Sequence, residues 1–401
     1  MCRIVPLLLA TALAASAACA APVSQGSANR PDQVPAFPGQ TRVDAVNSGV
    51  AFKVTQVASG LEYPWGLAFL PDGRAIVTEK PGRLRVIAAD GSLSAPVQGG
   101  PSVYYGGQGG LQDVLVLPGT PTRICLSYAS KRSASGVTGL SVRCYTAVPS
   151  GTSIRLTTGQ SVWQQLPSYA GGHGQYGGRL ALAKDGTLFI TAGDRQDPGI
   201  RQRAQDLTSG IGKIIHVNLD GSIPADNPYV SSPNANTRAI WAQGFRNPYG
   251  AAISPKTGQL WTTENGPRGG DELNAPKAGK NYGWPVITYG EDYSGAPIGG
   301  NITQKPGLEQ PVYYWDPVIA PSGTAWYTGA RFPRWQGSLF VGGLASQSLT
   351  RLEIDEANER VTGEEKFAMG HRIRDVRQAP DGSIWLLTDE ANGLVLRLDP
   401  Q

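Results

Sequence analysis

Two short segments place three arginines between apolar, strand-like stretches of the chain. Arg246 lies in Gly-Phe-Arg-Asn-Pro (244–248), and Arg372 and Arg374 lie in Arg-Ile-Arg-Asp-Val (372–376). If the fold brings these segments together, three forked guanidinium groups face one ligand, and without a ligand they would repel one another. The arrangement predicts a site for a small molecule that carries several carboxylates.

A third segment, residues 264–282, offers oxygen ligands for a cation. It contains Asp271 and Glu272 among glycines and prolines, so its backbone is irregular and its carbonyl groups are free. Ca²⁺ prefers carboxylate and carbonyl oxygens. No group of Cys or His has zinc spacing, and no glycine motif has the Walker or Rossmann form. The segment therefore indicates calcium rather than zinc or a nucleotide phosphate.

The elements that must position these residues are recurring strand pairs. Each unit consists of an apolar strand, a turn rich in Pro, Asp and Gly, and a second apolar strand, which is the signal of a β-hairpin. The six copies run over residues 66–79, 111–127, 179–194, 250–264, 325–342 and 373–388. Six similar hairpins are not typical of a tandem of β-sandwiches, which is the alternative fold.

The repeat predicts an all-β fold, a six-bladed β-propeller with four-stranded blades. Residues 51–58 and 393–398 would share one blade and close the ring, leaving no large exposed sheet edge. The loops at the mouth of the central channel would then carry the site.

Composition agrees with a turn-rich β protein. Charged residues make up only 16% of the chain, which contains 52 glycines and 31 prolines, while hydrophobic residues at 40% suffice for a large core. The net charge is +4, from 35 basic and 31 acidic residues. This balance argues against nucleic acid as a partner.

The N-terminus has the layout of an export signal. Arg3 precedes an apolar run and small residues, so we expect cleavage after Ala20. A lipid anchor at Cys19 is the less favoured alternative, because Ser16 stands where a Leu would be expected. The predicted division is a signal peptide at 1–20, a flexible leader at 21–50 and a single propeller domain at 51–401. The mature protein would be periplasmic or secreted, with no membrane span.

Two cysteines remain after such cleavage. Cys125 and Cys144 lie in strand-like segments on either side of a turn. An exported protein meets an oxidising compartment, so a cross-strand disulfide is expected, with two free thiols as the alternative.

An ordered series of motifs resembles the soluble glucose/sorbosone dehydrogenase family across roughly residues 55–400. The motifs are Gly-Gly-Gln-Gly-Gly-Leu (106–111), Gly-Lys-Ile-Ile-His-Val-Asn-Leu-Asp-Gly-Ser-Ile-Pro-Ala-Asp-Asn-Pro (212–228), Gly-Phe-Arg-Asn-Pro (244–248), Glu-Asn-Gly-Pro-Arg-Gly-Gly-Asp-Glu-Leu-Asn (264–274), Asn-Tyr-Gly-Trp-Pro (281–285) and Arg-Ile-Arg-Asp-Val (372–376). The resemblance implies a six-bladed propeller that uses pyrroloquinoline quinone (PQQ) and Ca²⁺ to oxidise aldose sugars at the anomeric carbon. PQQ carries three carboxylates, which agrees with the arginine cluster.

The resemblance also implies roles for individual residues. The residues expected to hold the quinone are Gln108, Arg246, Asn247, Arg372 and Arg374. The main-chain carbonyls of Gly266 and Pro267 would bind the Ca²⁺ on the cofactor. A second, structural Ca²⁺ site would use Glu272, Tyr282, Thr288 and Asp292.

The catalytic base departs from the family's pattern. The family has a His four residues before the Arg of His-x-x-Gly-Arg-Leu, but Gln175 stands there in this chain and the histidine is His173. A Gln cannot accept a proton near neutral pH. Either His173 reaches the same point, oriented by Asp194, or the base is lost. We expect the former; His371 is a weaker substitute, and His216 is expected to be structural.

A second departure lies at Ala345, where the glucose-oxidising branch has a Lys near the quinone. The chain therefore lacks one positive charge at that position, which weakens the case for glucose itself. Sugar contacts would lie on the loops at 168–176 and 290–304. Candidates for stacking on a sugar ring, each equally able to pack between blades, are Tyr176, Tyr289 and Trp326.

Three functions are compatible with these patterns. The first is an exported quinoprotein dehydrogenase that acts on aldose sugars and passes electrons to a respiratory carrier or a small redox molecule. The second is a non-catalytic propeller that binds a sugar or protein and has lost the base. The third is a Ca²⁺-dependent lactonase, which has no use for three arginines. The arginines disfavour the lactonase, and the base separates the first two.

Overall fold

Six antiparallel sheets build the fold; five come from continuous stretches of chain, and the sixth combines the first strand with the last three. The computed structural model describes residues 22–23, 26–132 and 136–401. The predicted signal peptide lies outside the described residues.

The strand bounds, in chain order, are β1 Phe52–Leu61, β2 Pro64–Phe69, β3 Ala75–Glu79, β4 Arg83–Ile87, β5 Leu111–Leu117, β6 Arg123–Lys131, β7 Val137–Ser150, β8 Ser153–Gln164, β9 Tyr169–Ala170, β10 Gly177–Leu182, β11 Leu188–Ala192, β12 Lys213–Val217, β13 Ile240–Gln243, β14 Pro248–Ile253, β15 Leu260–Glu264, β16 Asp271–Asn274, β17 Tyr313–Trp315, β18 Pro321–Trp326, β19 Leu339–Gly343, β20 Ser348–Asp355, β21 Arg360–Ala368, β22 Ile373–Gln378, β23 Ile384–Thr388 and β24 Gly393–Pro400. Short 3-10 helices span Arg201–Gln205 and Pro333–Trp335, and a short α-helix, α1, spans Ala235–Arg238.

The sheets form a six-bladed β-propeller, as the repeat predicts. Blades 1 to 5 are β2–β4, β5–β9, β10–β13, β14–β17 and β18–β21, and blade 6 has the order β1-β24-β23-β22. The first strands of the blades, β2, β5, β10, β14, β18 and β22, contact one another in sequence, and β22 contacts β2. These six strands are therefore the innermost ring, and the six predicted hairpins are the first two strands of the blades.

Ring closure follows the prediction, with two differences in strand number, since β9 pairs with β7 and gives blade 2 a fifth strand. The N-terminal strand β1 pairs antiparallel with β24, with Val54 opposite Leu398. Blade 1 has three strands rather than four, because its sheet ends at β4 and an isolated bridge joins Ile87 to Leu93 beyond it.

Every innermost strand has a register shift over its first residues. Such β-bulges bend a strand and redirect its side chains. The third residue of each of these strands is a glycine or a charged residue: Gly66, Asp113, Arg179, Gly250, Gly323 and Asp375. The glycines allow close approach of neighbouring blades, since a Cβ at Gly66 would lie 2.8 Å from Asp113 Oδ1.

The three charged residues and one more arginine form a buried network in the channel. Arg179 Nη1 lies 3.0 Å from Asp113 Oδ1 and 2.9 Å from Asp375 Oδ1. Arg377 contacts the same two aspartates at 2.9 and 3.1 Å. We refer to these four residues as the central network; it joins blades 2, 3 and 6.

Hydroxyl groups on second strands link neighbouring blades beneath the mouth. Thr191 Oγ1 accepts a hydrogen bond from the Arg179 amide at 3.0 Å and donates to the Pro248 carbonyl of the next blade at 2.8 Å. Thr78 and Ser127 make the same pair of contacts in their blades. The first residues of the innermost strands are thereby fixed relative to one another.

The remaining fold predictions concern the cysteines and the termini. Cys125 and Cys144 stand opposite each other on β6 and β7 and form the predicted disulfide. Before β1, the amides of Asn29 and Arg30 donate to the Asp316 carboxylate at 2.5 and 2.9 Å, which ties this segment to blade 4. The domain boundary at residue 51 stays a prediction. Among the described residues, no helix is long and apolar enough to cross a bilayer.

Candidate active site

Several predicted cofactor residues meet where the innermost strands begin. Gln108 Oε1 accepts hydrogen bonds from the Gln175 amide at 2.9 Å and from the Tyr249 hydroxyl at 2.8 Å. Asn247 Oδ1 accepts from the Gly177 amide at 3.2 Å. Residues from blades 2, 3 and 4 are thus joined at one mouth of the channel.

Arg246 is held in place by carbonyl and amide oxygens. Its Nη1 donates to the Asn265 carbonyl at 2.8 Å and to the Gly266 carbonyl. The Gln175 amide, oriented with its nitrogen towards Asp194, accepts from both terminal nitrogens of Arg246 at 3.0 and 3.1 Å. Gln175 therefore bridges an arginine and a carboxylate, a role that sequence reasoning missed because the three residues are far apart in the chain.

Asp194 is a buried carboxylate on the wall of a cavity of about 180 Å³. It accepts hydrogen bonds from Trp284 Nε1 at 2.9 Å, from the Gln196 amide at 2.8 Å and from the Gln175 side chain. Burial raises the pKa of Asp194, although the charge of Arg246 opposes the rise. A carboxyl with a raised pKa can exchange a proton nearer neutral pH.

His173 faces a neighbouring cavity instead, which is also lined by Gly107, Gln108 and Gln196. Its ring lies 5.1 Å from that of Tyr104, and its Nδ1 is buried without a hydrogen-bond partner. The hydrogen bonds of the described residues join Asp194 to other groups, so the structure does not pair the two predicted catalytic residues.

The other histidines have ordinary surroundings. His371 Nδ1 lies 2.8 Å from Glu390 at the surface. His216 is buried, stacks on Phe189 at 4.3 Å, and hydrogen-bonds Asn227 and Thr187 through its ring nitrogens. The contacts of His216 agree with a structural role.

The arginine pair of blade 6 lies beside one carboxylate. Asp389 contacts Arg372 at 3.3 Å and Arg374 at 2.9 Å. Burial alone would raise the pKa of Asp389, but Arg374 and then Arg372 hold it below its ordinary value. Arg374 is buried, and its Nη1 has no hydrogen-bond partner. Buried donors of this kind normally find an acceptor.

Tyr249 connects the two halves of the mouth. The Arg374 guanidinium lies 5.2 Å from the centre of its ring, and its hydroxyl donates to Gln108. Trp65 of blade 1 packs edge-on against the same ring at 5.8 Å. The mouth is therefore continuous from blade 6 through blade 1 to blades 2 and 4.

The predicted cofactor-calcium ligands lie at the same cavity. Pro267 lines it, and the preceding Gly266 donates its amide to Asp271 Oδ1 at 2.9 Å. Asp271 also accepts from the amides of Ile319 and Ala320, and burial raises its pKa to about 7. The described residues contain no group of three or more His, Cys, Asp or Glu that could hold a metal. A cation here would thus depend on carbonyl oxygens.

The predicted residues of a second calcium site make their hydrogen bonds to other partners rather than to one another. Glu272 accepts from Asn274 at 3.1 Å, and Tyr282 donates to the Ala275 carbonyl at 2.8 Å. Thr288 Oγ1 accepts from the Gly290 amide, and Asp292 lines the active-site cavity with Arg246. A second calcium site stays a prediction.

The aromatic residues named for sugar stacking are packing residues instead. They are buried between strands: Tyr176, Tyr289 and Trp326. Tyr289, for example, stacks on Tyr314 at 3.9 Å. By contrast, Tyr293 lines the cavity and is 65% exposed, with its ring 5.9 Å from the Arg246 guanidinium. The sequence analysis predicted sugar contacts on the loop at 290–304, but it did not single out Tyr293.

The propeller and its arginine-lined mouth define a class, the β-propeller dehydrogenases. The model of the Glucose / Sorbosone dehydrogenase family matches residues 61–397, and the chain belongs to this family.

Individual relatives and solved structures agree with this family assignment. Aldose sugar dehydrogenase YliI of Escherichia coli (strain K12) is 41% identical over 347 residues, which cover 85% of this chain and 91% of the relative. The apo form of the soluble aldose sugar dehydrogenase from Escherichia coli has a TM-score of 0.82 at 39% identity, covering 88% of this chain and 100% of that one. The PQQ-bound aldose sugar dehydrogenase from Streptomyces coelicolor has a TM-score of 0.68 at 27% identity, covering 87% and 99%.

Proposed function

We propose that the protein oxidises aldose sugars at the anomeric carbon, with PQQ as the hydride acceptor and Ca²⁺ as a Lewis acid. The observation that carries this proposal is the buried, unpartnered Nη1 of Arg374, which together with Arg372 lies beside the single carboxylate of Asp389. Such a donor needs an anionic acceptor, and PQQ has three carboxylates.

The residues at the mouth fit the cofactor. Carboxylates suit the guanidinium groups of Arg246, Arg372 and Arg374, while the amides of Gln108 and Asn247 suit the polar ring edge. The carbonyls of Gly266 and Pro267 would bind Ca²⁺. When bound, the quinone supplies a two-electron acceptor and the cation polarises it.

The chain itself must remove a proton. Oxidation at the anomeric carbon transfers a hydride from carbon and releases the hydroxyl proton, so a base is needed near the sugar. Asp194 is the buried one of the carboxylates that share the cavity with Arg246, and we assign it the role of proton acceptor, with Gln175 orienting it by a hydrogen bond. His173, in the adjacent cavity, is the competing base.

Substrate binding and electron transfer complete the proposal. Tyr293 at the rim offers an exposed ring for stacking on a sugar face. Electrons would pass to a respiratory carrier or a small redox molecule. Export to the periplasm or the medium is supported by the Cys125–Cys144 disulfide, since disulfides persist in oxidising compartments.

The deciding experiment adds PQQ and excess Ca²⁺ to the purified protein and follows dye reduction with a panel of aldoses. Reduction that requires both additions supports the proposal. Tight PQQ binding without turnover on any sugar would favour a non-catalytic propeller. No binding of PQQ would overturn the cofactor assignment.

A further inference from the structure

Lys80 lies at the mouth, on the turn between β3 and β4 of blade 1. Its carbonyl accepts from the Leu111 amide at 3.0 Å, so the turn is tied to the first residue of the innermost strand of blade 2. The ammonium lies 3.5 Å from the Gly107 carbonyl and 5.5 Å from the centre of the Tyr63 ring. Lys80 thus stands beside the glycine motif that carries Gln108.

The Lys80 ammonium has no carboxylate partner of its own. No ion pair within the described part of the chain includes it, and the side chain is half-buried. Burial lowers the pKa of Lys80, the charge of Arg374 lowers it further, and Asp389 opposes the change. Lys80 therefore belongs to the same electrostatic group as the arginine pair of blade 6.

This group has more cations than anions. Arg372 and Arg374 form ion pairs with the carboxylate of Asp389, and the charge of Lys80 also helps to lower the pKa of that group. The side chain of Arg374 is only 8% exposed, and its Nη1 has no partner. Like charges held together out of water are unfavourable unless an anion joins them. Two independent features, an unpaired ammonium and an unpartnered guanidinium nitrogen, thus indicate one missing anionic group.

We propose that Lys80 is a cofactor-binding residue, whose ammonium acts with Arg374 on a carboxylate of the quinone. This inference rests on the proposed function. It also accounts for Ala345: Leu344, next to it, accepts a hydrogen bond from Arg372 on the blade 5 side of the mouth. The positive charge absent from that side is supplied by Lys80 from blade 1.

Binding rather than turnover tests the inference. The apo protein is titrated with PQQ at fixed Ca²⁺, and the quench of tryptophan fluorescence gives Kd. We expect Lys80→Met to raise Kd about tenfold or more at low salt, the scale of one charge-assisted hydrogen bond. Lys80→Arg should stay within about threefold of wild type, and the Lys80→Met effect should shrink at high salt.

Lys184→Met is the matched control. Lys184 lies on the β10–β11 turn, at the other end of the strands, and donates to the Pro255 carbonyl at 2.6 Å. The Kd of the Lys184→Met variant for PQQ should equal that of wild type. Thermal unfolding should confirm that all variants fold. If Lys80→Met binds PQQ as wild type does while Arg374→Ala binds weakly, the role of Lys80 is overturned and the proposed function stands. If wild type does not bind PQQ, both are overturned.

Discussion

The centre of the channel and its mouth contain the same kinds of charged side chain but balance them differently. In the central network, two arginines meet two aspartates, and the pairing is nearly complete. At the mouth, Arg372 and Arg374 share the single carboxylate of Asp389, and Lys80 adds a third positive charge that acts on the same group. Balanced buried charges hold blades together, whereas an excess of one sign indicates a missing ligand.

The carboxylates differ in the same way. Asp113 and Asp375 contact arginines, while Asp194, among the described residues, accepts from the neutral donors Trp284, Gln175 and Gln196. Burial raises the pKa of Asp375 and of Asp194 alike, and nearby arginines oppose the rise at both. The two kinds of aspartate therefore differ in their direct contacts: the central pair joins blades through arginines, whereas Asp194 faces a cavity.

Removing the proton acceptor at the mouth should have the largest effect. We expect Asp194→Asn to lower kcat about 10²- to 10⁴-fold, the usual contribution of a general base, with a stability loss of about 2 kcal/mol or less. Dye-reduction kinetics and denaturant unfolding measure the two quantities. His173→Asn is the matched control and should lose less than about tenfold; the reverse ranking would make His173 the base.

Breaking the central network should lower the free energy of unfolding rather than the affinity for the cofactor. Asp375→Asn leaves Arg179, which is fully buried, without one of its two counter-charges. We expect a loss of about 3–5 kcal/mol in the free energy of unfolding, the scale for a broken buried ion pair. The PQQ affinity of the folded variant should change little. A stable variant with weak PQQ binding would contradict the division between centre and mouth.

Loss of an arginine at the mouth should lower the affinity for PQQ and leave the stability nearly unchanged. Arg374→Ala should raise the Kd for PQQ about 10- to 100-fold, since it removes charge-assisted hydrogen bonds to a carboxylate. The free energy of unfolding should change by about 1 kcal/mol or less, because repulsion with Lys80 is relieved as the contact with Asp389 is lost. A large loss of stability with unchanged affinity would instead mark Arg374 as structural.

Lys213 belongs neither to the central network nor to the mouth. It is a buried lysine for which the described residues supply no carboxylate partner. Its ammonium donates to the carbonyls of Arg203, Ala204 and Ile211, and burial lowers its pKa to about 7. An unfolded Lys titrates near ~10.4, so between about pH 7 and 10 the unfolded state binds more protons and stability rises with pH. We expect a slope of about 1 kcal/mol per pH unit, measured by urea unfolding at pH 7 to 9.

Lys213→Met isolates this effect. The variant should lose the rise in stability between pH 7 and 9, because the titrating group is gone. An equal slope in wild type and variant would assign the pH dependence to other groups.

The sequence predicts the fold well because its signals are local. A turn that contains glycine, often as Asp-Gly or Pro-Gly, recurs between the apolar strands of each blade, and the arginine motifs lie beside those strands. The site is less predictable, because its contacts cross blades. The bridge from Gln175 to Asp194 and Arg246 spans some seventy residues of chain. The charge of Arg374 in blade 6 acts on Lys80 in blade 1, and Tyr289 stacks on Tyr314 of a later strand.

Ring closure by β1 and β24 has a consequence for biosynthesis. Because β24 lies between β23 and β1, blade 6 cannot form until residues 393–400 have left the ribosome. A nascent chain at an earlier stage holds Lys80 and Arg374 on sheets that are not yet joined. The proposed cofactor pocket is therefore assembled last, and we expect a translation product truncated before this strand not to bind PQQ.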